Sequence, residues 1–375
     1  MDPKKIQKTY FENLDGLRFI CFLSVFFFHS FYTESEFLKS LPIYIFVKYT
    51  LFGNGNLGVN FFFVLSGFLI TYLLIIEKSK NDRIGIRNFW LRRALRIWPV
   101  FYVCVFFGFV IFPVLKQLFD QAPLETARPV FYLFFINNFD LIKNGLPDSS
   151  ILGVLWSVAV EEQFYFVWPV LLSILLIRWY PLAFIGIVIT SIVFRILYND
   201  PIFLEHHTLS CMGDMAIGAL GAWAVQDEKF KIFFINLNRK LITVLYLAAI
   251  LFFFYRKEVV QLHLIVLALE RILIAIVFLM IILEQNYSTR SFFKLGKFKF
   301  ISQLGVISYG LYCYQFIGIL VATNTTKILF VNDSIWSVLI LETTLALLIT
   351  VGIAFFSYKY FETPFLKYKE KFSLL

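Results

Sequence analysis

Leu14-Asp15-Gly16-Leu17-Arg18-Phe19-Ile20-Cys21-Phe22-Leu23-Ser24-Val25-Phe26-Phe27-Phe28-His29-Ser30 is an apolar run broken by an arginine near its start and a histidine near its end. As a helix rising about 1.5 Å per residue, it crosses most of a hydrocarbon layer about 30 Å thick. Both interruptions are unfavourable there. A basic side chain near a bilayer centre costs about 2.5–3.5 kcal/mol on insertion scales, so ionisable groups in such helices face a protein interior or a watery cavity. Arg18 and His29 are eleven positions apart. That spacing separates them by roughly 16 Å along the helix but only about 20° around it. One face therefore carries a fixed cation at one depth and a titratable imidazole at another.

Working outward, the composition assigns the class. The chain is 59% hydrophobic, 20% aromatic and 16% charged. A soluble domain is about 45–50% apolar and about 25% charged, so this is an all-α, polytopic integral membrane protein. Its net charge of +9 could indicate nucleic acid, but basic cytoplasmic loops produce the same excess, and no basic patch with interleaved polar reading residues is present. Cys21, Cys104, Cys211 and Cys313 lie inside apolar runs without metal-ligand spacing, so neither a disulfide nor a metal is implied.

Apolar runs of spanning length fall near 14-33, 57-77, 92-115, 153-177, 181-198, 207-226, 240-255, 259-283, 301-323 and 335-359, about ten helices. The short stretch 130–142 contains Asn137, Asn138 and Asp140. If it does not cross, the basic residues at 78–96, 178, 229–240 and 290–299 share one side with both tails, which include Lys4, Lys5 and Lys8. Both termini are then cytoplasmic; letting 130–142 cross inverts every later loop, so it is expected not to span. The chain is expected to be one membrane domain, 1–375, with a retained first helix and no appended soluble domain. Gly53-Asn54-Gly55-Asn56-Leu57-Gly58 matches a dinucleotide fingerprint in letters only, lacks the strand context, and reads as a turn into the second helix.

Several polar interruptions group by chemistry. Ser66-Gly67 is a small-residue pair of the kind that lets helices approach closely. Arg92, Arg93 and Arg96 open the third helix; Arg92 and Arg96, four apart, share a face. They read either as cytoplasmic anchors or as an anion site, because guanidinium forks suit phosphate oxygens. Ser157, Glu161, Tyr165 and Trp168 form one helical stripe, with Glu162 on another face. Asp214 lies among small residues, and Arg195, Glu270, Arg271 and Glu342 are further intramembrane charges, several of which are expected to pair. His206 and His207 read as exposed interfacial histidines.

Taken in order, six strings resemble the membrane acyltransferase 3 family: Leu-Asp-Gly followed by Arg18 and His29; Gly58 to Thr71; the Arg-rich string Phe89 to Tyr102; Leu155 to Pro169; Gly305 to Gln315; and Ser357 to Leu366. Met212 to Ala222 is similar to its pattern too. Asn60 stands where an acidic residue is common, Gln315 where a histidine is usual, and Gly318 where a proline is frequent. The resemblance implies transfer of an acyl group, usually acetyl, from cytoplasmic acyl-CoA to a hydroxyl of a cell-envelope carbohydrate or lipid-linked glycan. The expected setting is the bacterial inner membrane, with no permanently bound cofactor, no metal and no nucleic acid. On this reading His29 and Glu161 are catalytic on the outer side, with His29 as general base. Arg18, Arg92, Arg93 and Arg96 meet the acyl-CoA donor on the inner side. Ser66, Ser157, Tyr165, Asp214 and Gln315 bind substrate or line the path, among membrane lipid. A carrier for a polar solute is the competing class, against which no inverted repeat with broken helices is visible. A catalytically degenerate member is the third.

Overall fold

The computed structural model describes residues 10–118, 120–260 and 263–372, so Lys4, Lys5 and Lys8 of the charge argument lie outside the described residues. The described residues are helical, with no strand among them. The long helices are α1 (Glu12–His29), α2 (Leu57–Asn81), α3 (Ile86–Leu118), α4 (Ser150–Ile174), α5 (Ile177–Leu197), α6 (Thr208–Ala224), α7 (Arg239–Val260), α8 (Ile265–Tyr287), α9 (Ser308–Ile328) and α10 (Ser337–Phe372).

Six of these, α2, α3, α4, α5, α8 and α10, are long and apolar enough to cross a bilayer. The count reaches eight if α6 and α9 are each taken with the short helix from which they bend by 100° and 78°. The remaining expected spans, near 14–33 and 240–255, are helical as α1 and α7. Glu12, Asp15 and Arg18 on the first, and Arg239, Lys240 and Arg256 on the second, keep them out of that count. Segment 130–142 is not one helix: Pro129–Leu133 and Asn137–Asn144 are each about 12 Å or less in length, far short of a span.

The exposed surface has the character of a lipid-facing one. On α5, Leu182, Ile185, Ile189, Val193 and Ile196 follow helical spacing and are all exposed, while Phe184, Ser191 and Arg195 on the opposite side are buried. An apolar stripe of that length on one helix, repeated on its neighbours, is unstable against water and stable against acyl chains. The protein is an integral membrane protein.

Inside, small residues bring helices into backbone contact. A Cβ added at Gly67 of α2 would sit 2.0 Å from the Met215 carbonyl oxygen, and one at Gly218 of α6 would sit 2.0 Å from that of Val64. Without a hydrophobic driving force between helices in lipid, such close packing is what holds the pair. Gly67→Ala and Gly218→Ala are each expected to destabilise by about 1–3 kcal/mol through overpacking, read as a lower melting temperature in detergent. Unchanged melting in both would contradict the α2–α6 packing.

Buried charges pair between helices, as expected. Asp214 of α6 meets Arg271 of α8 at 2.9 Å and also accepts from Asn60 of α2 at 3.1 Å. Arg195 of α5 reaches Glu270 of α8 at 3.4 Å, and Glu270 also pairs with Arg256 of α7. In a low-dielectric interior each unpaired charge would be strongly unfavourable, so these pairs fix which helices are neighbours. Gly53 to Asn56 form the turn that leads into α2.

Candidate active site

A cavity of about 220 Å³ lies between α1, α2, α3, α4 and α9. Its wall along α2 runs from Val59 to Leu73. Those fourteen steps are about 21 Å of helix, most of the hydrocarbon thickness. The cavity is therefore elongated across the membrane. Its polar groups are not evenly spread.

At one level Ser66 donates from Oγ to Glu161 Oε1 at 2.7 Å and shares a 3.0 Å hydrogen bond with the Tyr165 hydroxyl. The Arg93 guanidinium lies over the Tyr165 ring, 5.5 Å from its centre, and Arg93 and Arg96 are the cations that act on Glu161. Arg18, paired with Asp15 one turn earlier on α1, reaches the same cavity. One helical turn along α4, Ser157 and Tyr312 share a hydrogen bond of 2.7 Å between their hydroxyls. The cavity thus holds three guanidinium groups and a carboxylate at one depth and a hydroxyl pair at another.

Two sequence expectations change here. Arg92 and Arg96 share a face by spacing, but Arg93 and Arg96, three apart, are the pair that lines the cavity. Arg92 instead reaches Glu77 at 3.4 Å and donates to the Phe372 carbonyl at 2.6 Å. It ties α3 to α2 and to the end of α10. The second change concerns His29 and Glu161, expected together on the outer side. His29 packs on Phe316, with ring centres 4.8 Å apart, and Phe316 is one turn beyond Tyr312 on α9. Glu161 is one turn the other way from Ser157. Cys21 of α1 lies against Gly58 of α2, so His29, eight residues beyond Cys21, and Ser66 with its partner Glu161, eight residues the other way from Gly58, are on the order of 20 Å apart. Glu161 belongs with the arginines, and the charged groups that act on His29 are Glu205 and Lys48.

Asp214 and Gln315 do not line this cavity. Asp214 is held in its ion pair with Arg271. Gln315 is fully buried and donates to the Tyr312 carbonyl at 2.9 Å, so the residue found where a histidine is usual braces the turn that carries Tyr312. Gly318 has a local reason as well: a Cβ there would sit 2.1 Å from Thr350 Oγ1 of α10. Glu162 accepts from the Trp98 indole at 2.9 Å. His206 and His207 are packed rather than exposed, against Trp156 at 4.6 Å and Phe194 at 4.4 Å. Sequence reasoning passed over Tyr309 and Tyr312, which line the cavity. Their spacing of three on one helical face was the available signal. Among the described residues no group of three or more His, Cys, Asp or Glu is placed to hold a metal ion.

The arrangement of arginines, carboxylate and histidine over several helices agrees with the family motifs, and comparison with known proteins decides the matter. A family model described as an acyltransferase domain, that of the acyltransferase 3 family, matches residues 11–359. The chain belongs to this family. Among its relatives, the peptidoglycan O-acetyltransferase OatA of Listeria monocytogenes is 26% identical over 97% of this chain and 57% of its own length. The O-acetyltransferase OatA of Staphylococcus aureus is 31% identical over 48% of this chain and 28% of its own length. The acyltransferase chain described here thus spans little more than half, or less, of these relatives. No solved structure matches it.

Proposed function

We propose that this chain transfers an acyl group, acetyl in the simplest case, from cytoplasmic acyl-CoA to a hydroxyl of a cell-envelope carbohydrate or lipid-linked glycan across a bacterial inner membrane. The observation that carries this reading is the cavity with Arg93 and Arg96 at one depth and His29 beyond its other end. The names of the relatives, both O-acetyltransferases, support the reaction class.

The chemistry follows from that polarity. The donor's phosphates sit on the guanidinium forks, which match their oxygens two at a time. Glu161, held by Ser66, acts through its charge on Arg93 and Arg96 and is a positioning residue rather than a partner of His29. From the phosphates, the pantetheine arm runs along the apolar part of the cavity. Some thirteen backbone bonds, at three bonds per roughly 3.3–3.6 Å as in an extended peptide, give it a reach of about 15 Å. That carries the thioester past Ser157 and Tyr312 toward His29. His29 takes the proton of the acceptor hydroxyl as its oxygen attacks the thioester carbonyl. The Ser157 and Tyr312 hydroxyls share one hydrogen bond and have the Val154 carbonyl as their other acceptor, and the hydroxyl that turns from that carbonyl donates to the developing oxyanion. Collapse breaks the carbon–sulfur bond, forms the ester, and returns the proton to the CoA thiolate. A thioester is reactive enough that positioning, a base and an oxyanion partner suffice.

Purified protein given acetyl-CoA and an oligosaccharide is expected to release free CoA and ester in equal amounts. A carrier would release none, and that result would reverse the assignment. The expected ten-span topology has its own check. Ser149, an obvious site for a reporter cysteine, is buried; Leu146→Cys and Asp333→Cys are at exposed positions. Both are expected to react with an impermeant reagent from the outer side. Reaction of position 146 only after permeabilisation would mean that 130–142 crosses.

A further inference from the structure

A second cavity, of about 270 Å³, lies beyond His29 and away from the arginines. Its wall includes Tyr32 and Glu34 after α1, Lys327 near the end of α9, and Asn332, Asp333 and Glu342 around the start of α10. Two chain paths fix its place relative to the imidazole. Tyr32 is three residues past His29, hence within about 10 Å of it. Thr323, on the wall, is seven residues past Phe316, which His29 touches, so the cavity lies about 10 Å farther along α9. It sits on the acceptor side of the proposed reaction.

Its lining has a definite chemistry. Glu342 is 6% exposed; its Oε1 accepts from Thr326 at 2.6 Å, and its other oxygen has no hydrogen-bond partner among the described residues. That oxygen is open to the cavity and can accept from a donor placed there. Asn332 and Asp333 likewise make no side-chain hydrogen bond among the described residues. Glu34 is committed to Lys327 at 2.7 Å, and that contact holds its carboxyl below the usual carboxylate range. Three carboxylates against one ammonium make the pocket a poor host for anions and a good one for hydroxyl or amide donors. The Tyr32 ring, 51% exposed, adds a flat apolar face. The volume, below the about 300–1,000 Å³ of sites for drug-sized ligands, suits one ring rather than several.

We propose that this cavity is a subsite for the acceptor glycan, holding a neutral sugar unit that neighbours the one acylated at His29. The assignment rests on the acyl-transfer reading for its purpose but on this cavity for its chemistry. It predicts selection for chains over single sugars: a monosaccharide cannot occupy the subsite and reach His29 at once.

The test uses the full chain in nanodiscs with chitotetraose, a neutral oligosaccharide, as probe. Calorimetry with the parent protein should show binding, and Asp333→Ala and Tyr32→Ala, both at exposed positions, should each weaken it about tenfold, the loss expected for a charge-assisted hydrogen bond or a ring contact. An oligogalacturonate of equal length should bind at least tenfold more weakly to the parent. Under turnover the same variants should raise the acceptor KM by that factor while the acetyl-CoA KM stays within twofold. No chitotetraose binding by the parent, equal affinity in parent and variants, or equal binding of the acidic oligosaccharide overturns the subsite. Binding that depends on Asp333 without any CoA release would keep the subsite and overturn the transferase reading instead.

Discussion

His29→Ala is expected to leave acyl-CoA binding intact and to lower transfer by about 10²- to 10⁴-fold, the usual contribution of a positioned general base. Two features separate this residue from its surroundings. It sits beyond the hydroxyl pair at the end of the cavity opposite the arginines, and its ring packs on Phe316 rather than on a carboxylate. Its loss therefore removes a proton acceptor without breaking a salt bridge or opening the arginine cluster. His29→Gln is expected to be little better than alanine, since it preserves shape and hydrogen bonding but supplies no suitable base. Near-parental transfer by His29→Gln at equal expression would make His29 a packing residue and leave the acceptor's proton without a recipient on that side.

The second large effect concerns the donor. Arg93→Ala combined with Arg96→Ala is expected to raise the acyl-CoA KM by about 100-fold or more, because two charge-assisted hydrogen-bonding groups to phosphate are lost. The acceptor KM should change by less than about twofold to threefold, since the acceptor side lies on the order of 20 Å away. Arg92→Ala provides the control. It breaks the contacts to Glu77 and to the Phe372 carbonyl, so its effect should fall on thermal stability and not on the donor KM. If Arg92→Ala raises the donor KM as much as the double variant does, the phosphates lie on the other face of α3. If neither does, the arginines anchor the helix at the membrane surface and the donor binds elsewhere.

These contrasts mark where the sequence was legible and where it was not. Arg18 and His29 on one face of α1 followed from their spacing alone, as did the stripe of Ser157, Glu161 and Tyr165, because helical periodicity is local. The close approach at Gly67 was readable for the same reason. Which face of α3 turns inward was not. Arg92 and Arg93 differ by one position, and the choice between them depends on Glu77 of α2 and the end of α10, segments far away in sequence. The common outer placement of His29 and Glu161 was not legible either: each lies on its helix as expected, but the relative depth of two helices is set by packing that no single run encodes. Tyr312 lay inside a recognised string, yet only its hydrogen bond to Ser157 brings it to the cavity. The departures at Gln315 and Gly318 become intelligible through contacts with their surroundings, the Tyr312 carbonyl and Thr350.

On this account donor and acceptor enter from opposite sides of the membrane and meet toward the His29 end of one elongated cavity. Proteoliposomes of uniform orientation, with isotope-labelled acetyl-CoA on the arginine side and chitotetraose on the His29 side, test it most directly. Mass spectrometry of the sugar is expected to show labelled ester, in amounts equal to the CoA released, only with the substrates on these opposite sides. Labelled sugar formed only when both substrates share a side, or CoA released with no ester on the sugar, would contradict the account.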